Sequence, residues 1–142
     1  MDIFKKLKEL NFPLGEYVVV GSGALAARNL REANDLDIVV TKKLFSSLYS
    51  SGEYQEVEKH SMIFLAANDV EIIPQLDWEA YETVVEEAIK TADIINGFPF
   101  LNIPETMKFK AALGREKDFR DIEILKQFLR ENNVKQSSIK PS

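Results

Sequence analysis

Apolar residues recur over the first ten positions at the spacing of one helix face. Ile3, Phe4, Leu7 and Leu10 predict a short amphipathic helix ending near Asn11-Phe12-Pro13. The period then changes. EYVVV, Glu16 to Val20, is a continuous apolar run that reads as a buried strand, and Gly21-Ser22-Gly23 breaks it. ALAARNL favours helix, and DLDIVV, Asp35 to Val40, predicts a second strand. Lys42 to Ser50 reads as a helix closed by Ser50-Ser51-Gly52. Glu53 to Ala66, interrupted, and Val70 to Pro74 are the next strand candidates, with Asn68-Asp69 as the turn between them. Trp78 to Lys90 is helical by composition, whereas ADIING and FPFLNI are irregular or strand-like. Asn102 and Pro104 mark a helix start for PETMKFKAAL, with Gly114 placed to cap its end. A last helix is predicted from about Glu116 to Asn132, its apolar face carrying Phe119, Ile122, Leu125, Phe128 and Leu129. VKQSSIKPS, residues 134–142, has no apolar period and reads as a frayed, disordered tail.

Strands and helices interleave, so the class is α+β or α/β with a small sheet. With 142 residues, a single domain over 1–133 is the simplest organisation. The chain has no cysteine, which removes disulfides and thiolate metal sites and suits a reducing cytoplasm. MDIFKKLKELNF is too charged for a signal peptide, and no apolar run approaches the ~20 residues a membrane helix needs. A soluble cytoplasmic protein with no membrane partner is expected. The formal charge of -5 weighs against gripping a long phosphate backbone, which calls for a basic excess.

Several short stretches could carry chemistry, and each has a plain structural alternative. Gly21-Ser22-Gly23 lies between a strand and a helix, where backbone N–H groups can meet an anion; taken alone, a simple turn is the better explanation. Asp35 and Asp37, two apart on a strand, project from one face, where they repel unless a cation lies between them. The alternative is an edge strand with solvated acids. Glu71 stands between Val70 and Ile72, where a charge is costly unless partnered or turned outward. Lys110 and Arg115 flank the Gly114 break, and Asp118 and Asp121 follow at helical spacing. Such cations can clamp phosphate oxygens, or all four can form an ordinary first-turn ion cluster. His60, the one histidine, has no His or Cys companion and carries no catalytic assignment.

Order along the chain says more than any single item. Val20-Gly21-Ser22, twelve intervening residues, then Asp35-Leu36-Asp37-Ile38, and later Glu71 in DVEIIP, resemble the nucleotidyltransferase superfamily of DNA polymerase β. MKFKAALGREKDFRDIEIL is similar to the Lys-x4-Arg plus Lys-Asp-x-x-Asp-Ile segment of small bacterial and archaeal nucleotidyltransferases, the abortive-infection type among them. The likeness runs from about Val18 to Leu129, and the family's third carboxylate, more often Asp, falls on Glu71. It implies a small mixed sheet flanked by helices, with the C-terminal helices packed on it. It also implies transfer of a nucleoside monophosphate from a nucleoside triphosphate to a hydroxyl of an acceptor. Asp35, Asp37 and Glu71 would hold two Mg²⁺ ions, with Glu71 also available as general base. Gly21, Ser22, Lys110 and Arg115 would bind the triphosphate. The acceptor (a small molecule, an RNA 3′ end or a protein side chain) stays open, as does a homodimer or partner subunit that completes the site. The competing expectation is a non-catalytic nucleotide-binding or interaction module that keeps the fold.

Overall fold

The protein, seen in a computed structural model, is described over residues 1–78 and 80–139, with residues 134–139 described through their backbone alone. In chain order the elements are α1 (Ile3–Leu10), β1 (Tyr17–Val20), α2 (Ser22–Ala26), β2 (Leu36–Val40), α3 (Lys42–Ser51), β3 (Gln55–Lys59), β4 (Met62–Ala67), β5 (Val70–Ile73), α4 (Val85–Lys90), β6 (Asp93–Ile95), β7 (Phe98–Phe100), α5 (Ile103–Leu113) and α6 (Glu116–Ile139). The class is the expected one, a mixed sheet with helices. Among the described residues, no helix is long and apolar enough to cross a membrane.

The seven strands lie in the order β3-β4-β5-β2-β1-β7-β6, which puts β2 at the centre. β2 runs antiparallel to β1 and parallel to β5. Alternation along these strands gives the sheet two different faces. Leu36, Ile38 and Val40 join Val19, Leu65 and Ile72 on one face, under Ile3 and Leu7 of α1 and Leu44 of α3. Val18, Val20 and Val39 on the other face pack with Tyr81, with Val85 and Ala88 of α4, and with Phe109 and Ala112 of α5. A third cluster of Leu25, Ile103 and Leu125 ties α2 to α5 and α6. Asp37 therefore sits on the middle strand, between two layers of apolar packing.

Local chemistry explains most boundaries. Asp2, Thr41 and Asn102 cap α1, α3 and α5 by accepting a backbone N–H three residues on. The interruption inside Glu53 to Ala66 is a tight turn at His60-Ser61, both with positive φ, and it joins β3 to β4 as a hairpin. ADIING and FPFLNI form a second hairpin, β6–β7, turned by Asn96-Gly97 with φ of 51° and 85°.

Four expectations differ from what is observed. Asp35 precedes β2 instead of lying in it, and is exposed. Only Val85–Lys90 of the segment Trp78 to Lys90 is helical. Trp78 and Tyr81 instead bridge one another, and the Tyr81 and Thr83 hydroxyls both donate to the carboxylate of Glu105 on α5, which holds that stretch out of a helix. Phe119 does not face inward; it is 52% exposed. The inward stripe of α6 is Asp118, Asp121, Ile122 and Leu125, because partners on other elements neutralise the two acids. Finally, α6 continues past Asn132 to Ile139, no glycine or proline intervening before Pro141. Of the tail expected over 134–142, residues 140–142 lie outside the described residues.

Candidate functional site

The face of the sheet that carries Asp37 opens at one end into a cleft of about 590 Å³. Register dictates what lines its floor. Asp37 lies opposite Val20 on β1 and opposite Glu71 on β5. Cα partners share a face, so the two carboxylates stand side by side. Two strands further out, Lys59 pairs with Met62, and Phe64 shares their face. Asp35, Gly21 and Ser22 line the same cleft, as do Lys110 and Arg115. All seven residues expected from the sequence are thus brought to one place.

Gly21 has φ +69° and ψ −144° at the N-terminus of α2, a conformation that side-chain-bearing residues rarely adopt. A Cβ at Gly21 would lie 2.9 Å from Asp37 Oδ2, so the glycine lets the backbone close on that carboxylate. Asp37 meets an unfavourable field. Burial pushes its carboxyl from 3.8 up to about 6, the charges of Asp35 and then Glu71 push in the same direction, and Lys59 and Lys110 only partly offset them. Asp37 is an acid held where its ionised form is undercompensated.

Glu71 is compensated. Its Oε2 accepts from Lys59 Nζ at 2.6 Å, and the same ammonium lies 5.7 Å from the centre of the Phe64 ring. No motif or spacing marks Lys59, which reaches Glu71 because β3, β4 and β5 are neighbours, a relation only the fold reveals. Among the described residues, no group of three His, Cys, Asp or Glu is gathered as a ready metal cage. The donors nevertheless suit a hard divalent cation: adjacent carboxylates, one of them raised by burial and then by its neighbours' charge. Asp37 and Glu71 would hold it, Glu71 by exchanging Lys59 for the ion, with Asp35 at the mouth.

The cations are organised differently from the simple clamp that the sequence suggests. Lys110 is only 4% exposed, its ammonium 2.8 Å from Asp121 Oδ2 and 3.8 Å from Asp118 Oδ1. Asp121 also takes both oxygens' worth of Arg31, at 2.8 and 3.0 Å. Arg115 grips Asp118 with two donors at 2.7 and 3.1 Å, and its own backbone N–H donates to the same carboxylate. Burial alone would raise the Asp118 carboxyl, yet the Arg115 hydrogen bonds prevail and hold it below its usual range. Lys110 is therefore the core of a buried ion cluster, whereas the half-exposed Arg115 side chain keeps an edge in the cleft. Arg31 has no signature in the sequence. Trp78 and Phe109 complete one wall, and both were hidden in segments whose apolar residues read simply as helix.

No model of a known protein family matches this chain, and no curated protein sequence does.

Proposed function

We propose that the cleft transfers a nucleoside monophosphate from a nucleoside triphosphate to an acceptor hydroxyl, with Mg²⁺ as cofactor. The observation that carries this reading is the side-by-side placement of Asp37 and Glu71 on the central strands, with Asp37 pushed up to about 6. Two like charges in a partly buried floor disfavour the empty site and favour a cation between them.

Mg²⁺ held there would supply polarisation of the α-phosphate and charge neutralisation on the pyrophosphate that leaves. The chain's own residues do the rest. Gly21 allows the backbone to approach Asp37 closely, and Ser22 offers its hydroxyl and N–H to terminal phosphate oxygens. The exposed edge of Arg115 faces the triphosphate from the opposite wall. Glu71 takes the proton of the acceptor hydroxyl as its oxygen bonds to the α-phosphorus and the bond to the β-phosphate oxygen breaks. Positioning and electrostatics are the main contributions such a site makes.

The test is thermal stability against each of the four nucleoside triphosphates, with and without Mg²⁺, on the wild type and on Asp35→Ala/Asp37→Ala. A ligand that binds only the folded chain stabilises it by about 2.7 kcal/mol at a hundred times its dissociation constant. A Mg²⁺-dependent shift that the double variant loses is the expected result; no shift with any nucleotide overturns the reading. The Lys59–Glu71 ion pair favours a second reading, a non-catalytic nucleotide-binding module in which Lys59 permanently replaces a cation. The two separate on α-phosphate-labelled nucleotide and a panel of hydroxyl acceptors. Nucleotidyl transfer by the wild type, lost in a folded Glu71→Gln variant, supports the enzyme.

A further inference from the structure

The wall opposite β3 and β4 combines three features. Trp78 lines the cleft and is 38% exposed, and Phe109 and Leu113 of α5 line it too. Its backbone is fixed: the Trp78 N–H donates to the Tyr81 carbonyl at 2.7 Å, and the Tyr81 N–H returns a bond to the Trp78 carbonyl at 2.9 Å. Tyr81 in turn is anchored at both ends. Its ring meets Phe109 edge-on at 5.3 Å, and its hydroxyl donates to Glu105, which also accepts from Thr83 at 2.9 Å. A large aromatic side chain is thus tied to α5 through Tyr81, beside a cleft lined by both charged and apolar side chains. Burying Trp78 in the core would have been the ordinary use of such a residue.

We propose that Trp78 is the platform on which the base of the nucleoside triphosphate stacks. This rests on the nucleotide reading above and places the ligand within it. A planar aromatic ligand with an anionic tail matches this lining, which offers an aromatic face at Trp78 and cations at Arg115, just after α5, and at Lys117 of α6. The base then lies on the α5 side of Asp37. The β3–β4 side, where Glu71 and Lys59 stand, is left to the acceptor.

Trp78 is the only tryptophan in the chain, so its emission reports this residue alone. The experiment titrates ATP, GTP, CTP and UTP, each with Mg²⁺, into the intact protein while following Trp emission and melting temperature, with inorganic tripolyphosphate and Mg²⁺ as the base-free probe. Nucleotides are expected to quench the emission. Tripolyphosphate is expected to raise the melting temperature and leave the emission unchanged. Trp78→Ala should bind nucleotides about tenfold more weakly and tripolyphosphate as tightly as wild type does. Trp78→Phe, which keeps a stacking face, should bind both as the wild type does and guards against a folding defect in the alanine variant. Nucleotide binding with unchanged emission, or wild-type nucleotide affinity in Trp78→Ala, overturns the platform and leaves the nucleotide reading standing. Equal quenching by tripolyphosphate also overturns it, by showing a change that needs no base. If no nucleotide stabilises the wild type, both proposals fall together.

Discussion

Replacing Asp37 by Asn should make the protein more stable at neutral pH while removing its response to Mg²⁺. The folded chain holds this carboxyl at about 6, against 3.8 ordinarily, so the native state binds its proton more tightly than the unfolded state does. Stability then falls as pH rises through the window between the two values and stays low above it. At 1.36 kcal/mol per pH unit the ionised group costs about 3 kcal/mol at pH 7. That is comparable to what burying one large apolar side chain contributes, about 1.5–3 kcal/mol, so the packed strands around Asp37 can carry it. Asn keeps the shape and never ionises. Its advantage should be about 2–3 kcal/mol at pH 7.5 in EDTA, roughly 6–12 °C in melting temperature for a chain of this size. The gain should shrink between pH 6 and pH 4 and vanish below, where wild-type Asp37 is protonated in both states. Comparing the two proteins at each pH cancels the titration of groups that do not interact with Asp37. The assay is urea denaturation across pH 4–8 in EDTA, repeated with Mg²⁺, which should stabilise the wild type and not the variant. An Asp37→Asn protein no more stable than wild type at pH 7.5 would refute the argument that this acid is held against its preference.

Lys59→Met removes one of the two cations that lower the Asp37 carboxyl, so its midpoint should rise above about 6, as read by NMR titration of the side-chain carboxyl; an unmoved midpoint means the ammonium is too well solvated to act. Gly21→Ala must place a Cβ 2.9 Å from Asp37 Oδ2 at a φ of +69°, and should cost about 1–3 kcal/mol in urea denaturation; wild-type stability would show that the turn relaxes freely. Lys110→Met strips the centre from a buried ion cluster and leaves Asp121 with Arg31 alone, so a loss of about 3–5 kcal/mol is expected. A loss under about 1 kcal/mol would mean water replaces the ammonium, contrary to its burial.

How far the sequence alone reaches depends on what each feature rests on. β1, β2 and β5 were legible because a run such as Val18-Val19-Val20 can only be buried, and α5 because Asn102, Pro104 and Gly114 punctuate both its ends. The Asp-x-Asp motif and Glu71 were legible as acids in apolar company, although Asp35 proves to precede the strand. The segment around Trp78 misled because composition favours helix while the decisive partner of Tyr81, Glu105, lies on α5, 24 residues further along the chain. Phe119 misled for a related reason. Hydrophobic periodicity takes charged residues as outward-facing, yet Asp118 and Asp121 hold the inward positions of α6 once Lys110, Arg31 and Arg115 reach them. Lys59 could not be found at all without strand order.

The same difference in partners separates the two acid pairs that look alike in the sequence. Asp118 and Asp121 are the more deeply buried, at 0% and 3% exposed, and yet every charge they carry is met by Lys110, Arg31 or Arg115. The Asp118 carboxyl sits below its usual range as a result. Asp37, less buried, has no such guanidinium or ammonium bonded to it among the described residues, and burial, then the charges of Asp35 and Glu71, drive it up to about 6. Burial raises the carboxyls of both Asp37 and Asp118, and compensation decides whether the rise survives. Asp118 and Asp121 have their cations within the fold, and in doing so fix α6 against α5 and the Arg31 loop. On the proposed reading, Asp37 would draw its missing charge from outside. On that reading, a cation supplied with a nucleotide would relieve at Asp37 what Lys110 already relieves at Asp121, which would put the ligand-dependent chemistry at the sheet centre and leave the α6 cluster to hold the fold.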